Sequence, residues 1–245
     1  MNRIVALALG LLAASPLAAQ DQDWRFKVMG YLWLPTTNVG VSTPRGTVSA
    51  ELSVSDALDA LDFALMGNFE ARRDRLSFGA DLVYLNVSAG ADTPFGGLFN
   101  TVDVGTKITA FTAIAAYSVH QTDRFTLDVG AGARAFWTDI DVTLSGGILP
   151  TESTSRTDQW VDPIIVMRGK YDFDEKWFGT FYLDVGGFGV SSESTHQAAL
   201  GLGYNLNESW SLSGGWRYLD LERENGANTL DFRQSGVMLG ASYNF

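Results

Sequence analysis

Apolar and polar residues alternate along most of this chain, with the two-residue period of a β-strand. The final segment, 236–245, shows the pattern most clearly, because one of its faces is apolar and the other is small or polar. The apolar face carries Val237, Leu239, Ala241, Tyr243 and Phe245. The segment is therefore predicted to be a strand between an apolar and a polar environment.

Short polar turns and longer polar loops alternate between segments of this kind. The tight turns lie at 72–75, 119–124, 172–176 and 205–209, and the longer connections lie near 35–61, 89–102, 143–157, 190–195 and 223–230. This alternation predicts an all-β fold, an antiparallel up-and-down transmembrane β-barrel with short periplasmic turns and long external loops.

The pattern predicts about ten strands, with eight or twelve as alternatives. They lie at 24–34, 62–72, 75–88, 102–119, 124–142, 157–173, 176–190, 195–206, 209–222 and 230–245. A barrel of twelve strands results if the segments that flank the predicted hairpin turn at 43–46 join the wall.

Aromatic and leucine side chains gather at one end of the predicted strands, on their apolar face. They open the ascending strands at Trp24, Leu76, Phe125, Trp177 and Trp210, and they close the descending strands at Phe69, Tyr117, Tyr171, Tyr204 and Tyr243. Such a girdle is typical of a barrel at the level of a membrane interface. A soluble β-sandwich is the alternative, but it does not need aromatic residues at one end of every strand.

The opposite face carries charged residues on nearly every predicted strand. They are Arg25, Lys27, Glu70, Arg72, Asp81, Asp128, Arg134, Asp162, Arg168, Lys170, Asp184 and Arg217. A Lys or Arg that faces lipid at mid-depth costs about 2–4 kcal/mol, so these charges are expected to face the lumen. They form either a polar pore or binding cavity or a packed network of salt bridges. The narrow interior of a ten-stranded barrel favours the packed network.

One short helix is predicted, inside the first and longest loop. Ser53 and Asp56 have the spacing of a capping box at its start. The apolar residues of segment 54–61 then fall at helical spacing on one face. We expect this helix either to fold into the barrel mouth as a partial plug or to rest on the rim as an ordinary loop helix.

The N-terminal residues have the pattern of a secretory signal peptide. Arg3 precedes an apolar run at 4–12, and small residues at 16–19 follow. The run is shorter than the roughly 18–20 residues of a spanning helix, which argues against a membrane anchor. We therefore expect residues 1–20 to be cleaved after export through the Sec pathway, and residues 21–245 to form one barrel domain.

Composition excludes several classes of function. The formal net charge is −11, whereas a nucleic-acid-binding protein needs a basic surface. The chain has no cysteine, which excludes disulfides and thiol chemistry. Its two histidines are far apart in sequence and its carboxylates are scattered, so no metal site and no cofactor is predicted.

The chain resembles the outer-membrane β-barrel proteins of Gram-negative bacteria, and more narrowly a largely uncharacterised family of small ones. The resemblance is carried by GYLW at 30–33, the acidic helical insert followed by LDFALMG at 61–67, VDPI at 161–164 with Arg168, DVGGFG at 184–189 and GWRY at 215–218. It implies a location in the outer membrane, with lipids as partners. It also implies insertion by the barrel-assembly machinery, for which the terminal Tyr243 and Phe245 would be the signal.

Three functions fit the sequence. The first is a structural, surface-interaction or narrow-pore barrel without catalysis, most simply a monomer, whose solute or surface partner the sequence does not identify. The second is a small-solute channel or binder that uses Trp33 and Trp160 at the external end of the lumen. The third is a lipid-modifying or hydrolytic enzyme that uses His196, because segment 191–196 combines Ser, Glu and His. Sequence neighbours are not thereby positioned as nucleophile and base, and His120 lies in a predicted turn.

Overall fold

A computed structural model describes residues 24–44, 46–92 and 97–245. The predicted signal peptide at 1–20 lies outside the described residues. The elements in chain order are β1 Arg25–Thr43, β2 Gly46–Leu52, α1 Val54–Asp59, β3 Leu61–Arg73, β4 Leu76–Asp92, β5 Thr101–Gln121, β6 Phe125–Ser145, β7 Glu152–Asp172, β8 Trp177–Gly187, β9 Ser194–Asn205, β10 Trp210–Asn225 and β11 Asn228–Asn244. Among the described residues, no helix is long and apolar enough to cross a membrane.

Ten of the strands form a closed antiparallel barrel. Each strand pairs with its neighbour in sequence from β3 to β11, and β1 closes the ring by pairing with both β11 and β3. The strand β2 pairs with β1 alone, from Thr37↔Leu52 to Thr43↔Gly46, and lies outside the closure. The prediction of ten barrel strands is therefore confirmed, and the hairpin near residues 43–46 forms without enlarging the ring.

Strand ends are predicted well at one end of the barrel and less well at the other. The four tight turns fall within three residues of their predicted bounds; the largest difference is at 119–124, because β5 continues to Gln121 and includes His120. At the opposite end, β1 continues to Thr43 rather than stopping at residue 34, and β7 starts at Glu152 rather than at 157. There the alternation of apolar and polar residues fades, because both faces of the strands are polar. We call these two ends the turn end and the loop end.

Two of the tight turns share one hydrogen-bonding pattern. Between β7 and β8, the carboxylate of Asp174 accepts the backbone N–H groups of Lys176 and Trp177, each at 2.7 Å. Between β9 and β10, the amide oxygen of Asn207 accepts those of Ser209 and Trp210, at 3.0 and 2.8 Å. Asp and Asn favour such turns because their short side chains reach the backbone two and three residues on.

The wall between β1 and β3 is paired only near the turn end. Their register runs from Arg25↔Arg72 to Gly30↔Gly67. Beyond it, the Trp33 N–H donates to Met66 Sδ at 3.2 Å, and Pro35 has no N–H to donate. In this part of the wall, a backbone-to-side-chain bond and a proline without a donor thus interrupt the ladder of backbone hydrogen bonds between β1 and β3.

The outward face is apolar, and its aromatic residues gather at the turn end as predicted. Trp177 and Tyr204 meet edge to face across β8 and β9, with ring centroids 4.9 Å apart. The rings of Trp210 and Tyr243 contact each other in a tilted arrangement across β10 and β11, with centroids 5.0 Å apart. Other aromatic rings of this end, such as Phe69, are exposed on the same outer surface.

The predicted helix is confirmed as α1, with the predicted capping box. The Ser53 hydroxyl accepts the Asp56 N–H, and the Asp56 carboxylate accepts the Ser53 N–H at 3.2 Å. None of the residues of α1 is buried, and its principal contacts are with β1. The helix therefore rests on the rim of the barrel and is not a plug.

Candidate functional site in the barrel lumen

Charged side chains of three strands, β3, β6 and β7, meet inside the turn half of the barrel. Arg72 and Arg168 both bind Glu70, at 3.0 and 2.8 Å, and both bind Asp128, with Arg168 Nε at 3.2 Å from its carboxylate. Ser118 donates a further hydrogen bond to Asp128 at 2.6 Å. We call Glu70, Arg72, Asp128 and Arg168 the turn-half network; its two arginines and two carboxylates neutralise one another.

A second network crosses the middle of the lumen around Arg217. Its guanidinium donates to the Tyr31 hydroxyl at 2.8 Å, to Asp81 at 3.1 Å and to Gln197 Oε1 at 2.8 Å. The same group lies over the Trp33 ring, 4.7 Å from the centroid. This middle network joins β10 to β1, β4 and β9, so it ties together opposite parts of the barrel wall.

A third network is built on the ion pair of Arg134 with Asp184, which is completely enclosed. The side chains are 2% and 0% exposed. Arg134 also donates to the hydroxyl groups of Thr112 and Thr195, at 3.2 and 3.1 Å. A buried guanidinium needs several acceptors to offset its lost hydration, and this arrangement supplies three.

The other charges of the predicted network have different surroundings. Asp162 accepts the backbone N–H and the hydroxyl of Ser192, at 2.8 and 2.7 Å, and so anchors the β8–β9 connection. Lys170 binds Asp172 at 2.7 Å. In the part of the chain that the structure describes, Arg25 and Lys27 make no ion pair, although both line the lumen.

Sequence reasoning missed one lumenal ion pair. Arg223 binds Asp158 near the loop end and lies over the Trp160 ring, 4.2 Å from its centroid. Both residues stand at the same strand parity as the other lumenal charges, which is the signal that could have found them. Tyr31 and Gln197 were missed as well, because uncharged side chains give no comparable signal.

Apolar side chains fill the lumen above the middle network. Two packed clusters contain Trp33, Met66, Val83, Phe136, Trp160, Leu219 and Leu221. Ala110 and Phe232 touch both clusters, so they form one body, which we call the lumenal core. The rings of Phe136 and Trp160 stack at 4.8 Å. Eight of the ten barrel strands contribute to this core, so it extends across the barrel.

A cavity of about 1230 Å³ occupies the turn half of the lumen. Its upper wall includes Tyr31, Asp81 and Arg217, and its lower wall includes residues of three tight turns and the terminal Phe245. The middle network therefore closes it toward the loop end, and its mouth lies between the turns. This polar space below a packed core is unlike the continuous packed network that the sequence favoured.

The residues proposed for hydrolysis lie on two sides of the wall. Of the serines in segment 191–196, Ser192 is fully buried and bound to Asp162. His196 is exposed on β9, directly opposite Asp220 of β10 and Val185 of β8. Across the described ranges, no group of three His, Asp or Glu side chains has the spacing for a metal ion.

The closed antiparallel ring, apolar outside and charged inside, defines the class of outer-membrane β-barrels. The chain belongs to the family described as "Outer membrane protein beta-barrel domain", whose model matches residues 4–245. This membership places it in the outer membrane of a Gram-negative bacterium. No curated protein matches the chain significantly.

Solved structures align along most of this chain. The outer membrane protease OmpT from Escherichia coli aligns with a TM-score of 0.53 and 12% identity, over 91% of this chain and 97% of that one. The transport unit of the autotransporter AIDA-I from Escherichia coli aligns at 0.44 and 9%, over 96% and 94%. Ail of Yersinia pestis aligns at 0.35 and 12%, over 92% and 100%. At 12% identity the likeness to OmpT shows the fold alone.

Proposed function

We propose that this chain is a membrane-spanning barrel without catalytic activity, closed to solute flow, with a structural or surface-interaction role. In this arrangement the turn end faces the periplasm and the loop end faces outward. The exposed apolar side chains at mid-height support the spanning arrangement, among them Leu32, Val161, Ile165, Leu200 and Leu239. Lipid is the environment in which such a surface is stable.

The lumenal core is the observation that carries the closed state. Trp33 and Phe136 are each 4% exposed and Leu221 is 1% exposed, so their side chains leave little space between them. Protein interiors packed in this way contain few voids larger than a water molecule. A hydrated ion that enters the cavity of the turn half would have to displace the rings of the lumenal core before it could cross the barrel.

Planar-bilayer conductance tests the closed state. We expect the purified protein to insert without discrete current steps. The double variant Trp33→Ala/Trp160→Ala should introduce small steps, because it removes two indoles from the cross-section. Trp216→Ala is the matched control, since its indole is exposed on the outer face and its loss should change nothing. Regular steps from the unaltered protein would disprove the closed state and favour a channel.

The length of three strands supports a role at the cell surface. The strands β5, β6 and β7 each contain 21 residues, whereas a tilted strand crosses a bilayer with about 9–11. About half of each strand therefore extends beyond the membrane at the loop end. An ordered β-rim of this kind presents a fixed surface to a partner, without the ordering entropy that a flexible loop would lose on binding.

Hydrolysis by His196 is the alternative for which the chain offers a direct test. Peptide and lipid substrates would be incubated with the protein and with His196→Ala. Our proposal expects no activity above a mock preparation, and the same result for the variant. Turnover that disappears in His196→Ala would replace the structural role with an enzymatic one.

We further propose that the protein is exported and assembled by the usual route of outer-membrane barrels. Export through the Sec pathway uses the predicted signal at 1–20. The barrel-assembly machinery then reads Tyr243 and Phe245, and the product is a monomer surrounded by outer-membrane lipids. The position of Phe245 supports its role, because its backbone exchanges two hydrogen bonds with Phe26 of β1, both at 2.9 Å. The residue that would be the signal thus joins the seam that closes the barrel.

A further inference from the structure

Lys27, like Arg25, differs from most lumenal cations of this barrel. Among the described residues, its ammonium group has no hydrogen bond and no ion pair. By contrast, the arginines of the three lumenal networks and Arg223 all bind carboxylates. Lys27 is partly buried and lines the cavity in the turn half of the lumen.

The carboxylates near Lys27 are already engaged. Glu70 is its direct partner across the β1–β3 pair, but Arg72 binds one oxygen of Glu70 and Arg168 binds the other. Asp128 is likewise held by both arginines. The charged groups close enough to act on Lys27 are Glu70, Lys170 and Arg168. Arg168 is bound to Glu70 and Lys170 to Asp172, so these charges compensate one another and leave the charge of Lys27 without an ion pair.

An aromatic ring holds a second cation on the same side of the cavity. Lys27 Nζ lies 5.9 Å from the ring centroid of Phe178, and Lys170 Nζ lies 4.8 Å from the same centroid. The ring is fixed because Phe178 packs against Gly203, where a Cβ atom would come within 2.1 Å of it. Both ammonium groups are therefore positioned before any ligand arrives.

We propose that this cavity binds a small oxyanion from the periplasm, with Lys27 as the principal contact and Lys170 beside it. The ligand is a carboxylate- or phosphate-bearing molecule small enough for the space of about 1230 Å³. A charge-assisted bond to Lys27 gains strength in a partly enclosed site, where water competes less than in bulk. The proposal rests on the proposed orientation only for the side from which the ligand comes.

Equilibrium binding to the full-length barrel in non-ionic detergent tests the site. The probes are succinate, inorganic phosphate and the neutral analogue succinamide. We expect saturable binding of at least one anion and none of succinamide, and the tighter anion identifies the carboxylate or the phosphate class. Absence of saturable binding for both anions would overturn the proposal, because water alone would then solvate Lys27.

Substitutions locate the binding on Lys27. Lys27→Met should weaken anion binding about tenfold, as expected for the loss of one charge-assisted contact, and Lys27→Arg should largely preserve it. Lys107→Met is the matched control, because Lys107 is exposed on the opposite face of β5 from the lumen. Equal binding by Lys27→Met and the unaltered protein would overturn the assignment.

A second measurement avoids removing the charge, in case Lys27→Met does not fold. Reductive ¹³C-methylation of the lysines keeps them cationic and gives each an NMR signal, and Lys27→Arg identifies the signal of Lys27. The succinate or phosphate titration should shift this signal with the same dissociation constant as the binding assay. An unchanged Lys27 signal at saturation would contradict the proposal. The result is independent of the conductance test, which reports on the lumenal core instead.

Discussion

Arg217 of β10 donates a hydrogen bond from Nη1 to the hydroxyl of Tyr31 of β1, at 2.8 Å across the lumen. The Tyr31 hydroxyl in turn donates to Asp81 Oδ2 at 2.9 Å, and Arg217 binds Asp81 directly. The three side chains thus form a closed ring of hydrogen bonds. This ring separates the cavity of the turn half from the lumenal core, so it supports the structure at the point where the packing changes.

Tyr31→Phe should lower the free energy of unfolding by about 1 kcal/mol, the usual net contribution of one hydrogen bond. Arg217→Met should cost more, because it leaves Asp81 without its cation. Urea unfolding in lipid vesicles measures both. The double variant should lose less than the sum of the two single losses, since the side chains share one network. Additive losses would show that the ring does not act as a unit.

The buried pair of Arg134 and Asp184 gives a larger expected effect. Asp184→Asn leaves the enclosed guanidinium without its counter-charge and should destabilise the barrel by about 3–5 kcal/mol. Asp172→Asn is the control, because Asp172 pairs with Lys170 where both side chains are partly exposed, and it should cost less than about 1 kcal/mol. The same unfolding assay compares them. Equal losses would mean that burial of the pair does not determine its contribution.

Much of this barrel can be predicted from a local rule, the alternation of side chains along each strand. The pairs that side chains form across the lumen cannot be predicted in this way. Side-chain parity within a strand depends only on neighbouring residues, so the outward Trp177 and the inward Asp184 were both predictable. Which residues meet across the lumen depends on the stagger of strands far apart in sequence. Asp162 illustrates this, since its charge indicated a cationic partner and the structure gives it Ser192.

Local reasoning also could not predict that the lumen is divided into a cavity and a packed core. Trp33 and Trp160 were placed at the external end of the lumen, and the structure confirms that both lie inside. Their rings pack into the lumenal core with Phe136 and Leu221. A sequence that marks a side chain as inward does not say whether the space in front of it is filled. That depends on the combined volume of inward side chains at one height.

Removal of Phe245 should impair assembly in cells more than it impairs the folded barrel. Its loss removes two backbone hydrogen bonds and a ring contact with Phe26 at 5.6 Å, which we expect to cost about 2 kcal/mol. Leu206→Ala is the control, because Leu206 follows the same Tyr-Asn pair at the end of β9 and is also exposed. The amount of folded protein in isolated outer membranes is compared with refolding yield into vesicles. Equal defects in both assays would argue against a recognition signal.

The turns at Asp174 and Asn207 predict a difference in pH dependence. The backbone N–H groups of Trp177 and Lys176 hold the pKa of the Asp174 carboxyl below its usual range. A carboxyl with a lowered folded-state pKa stabilises the fold fully above its unfolded value of about 3.9, and this contribution disappears as the pH falls through the lowered value. Asn207 makes the same turn without a titrating group, so its contribution should not change with pH.

Asp174→Asn should therefore reduce the loss of stability between about pH 5 and pH 2, while the turn itself is retained. Asn207→Asp should add a loss in the same range, because the new carboxylate would accept the N–H groups of Ser209 and Trp210. Asp174→Ala should weaken the turn at every pH, since no acceptor remains. Urea unfolding at several pH values measures these slopes. A slope unchanged in both exchange variants would show that the backbone donors do not favour the charged carboxylate in this turn.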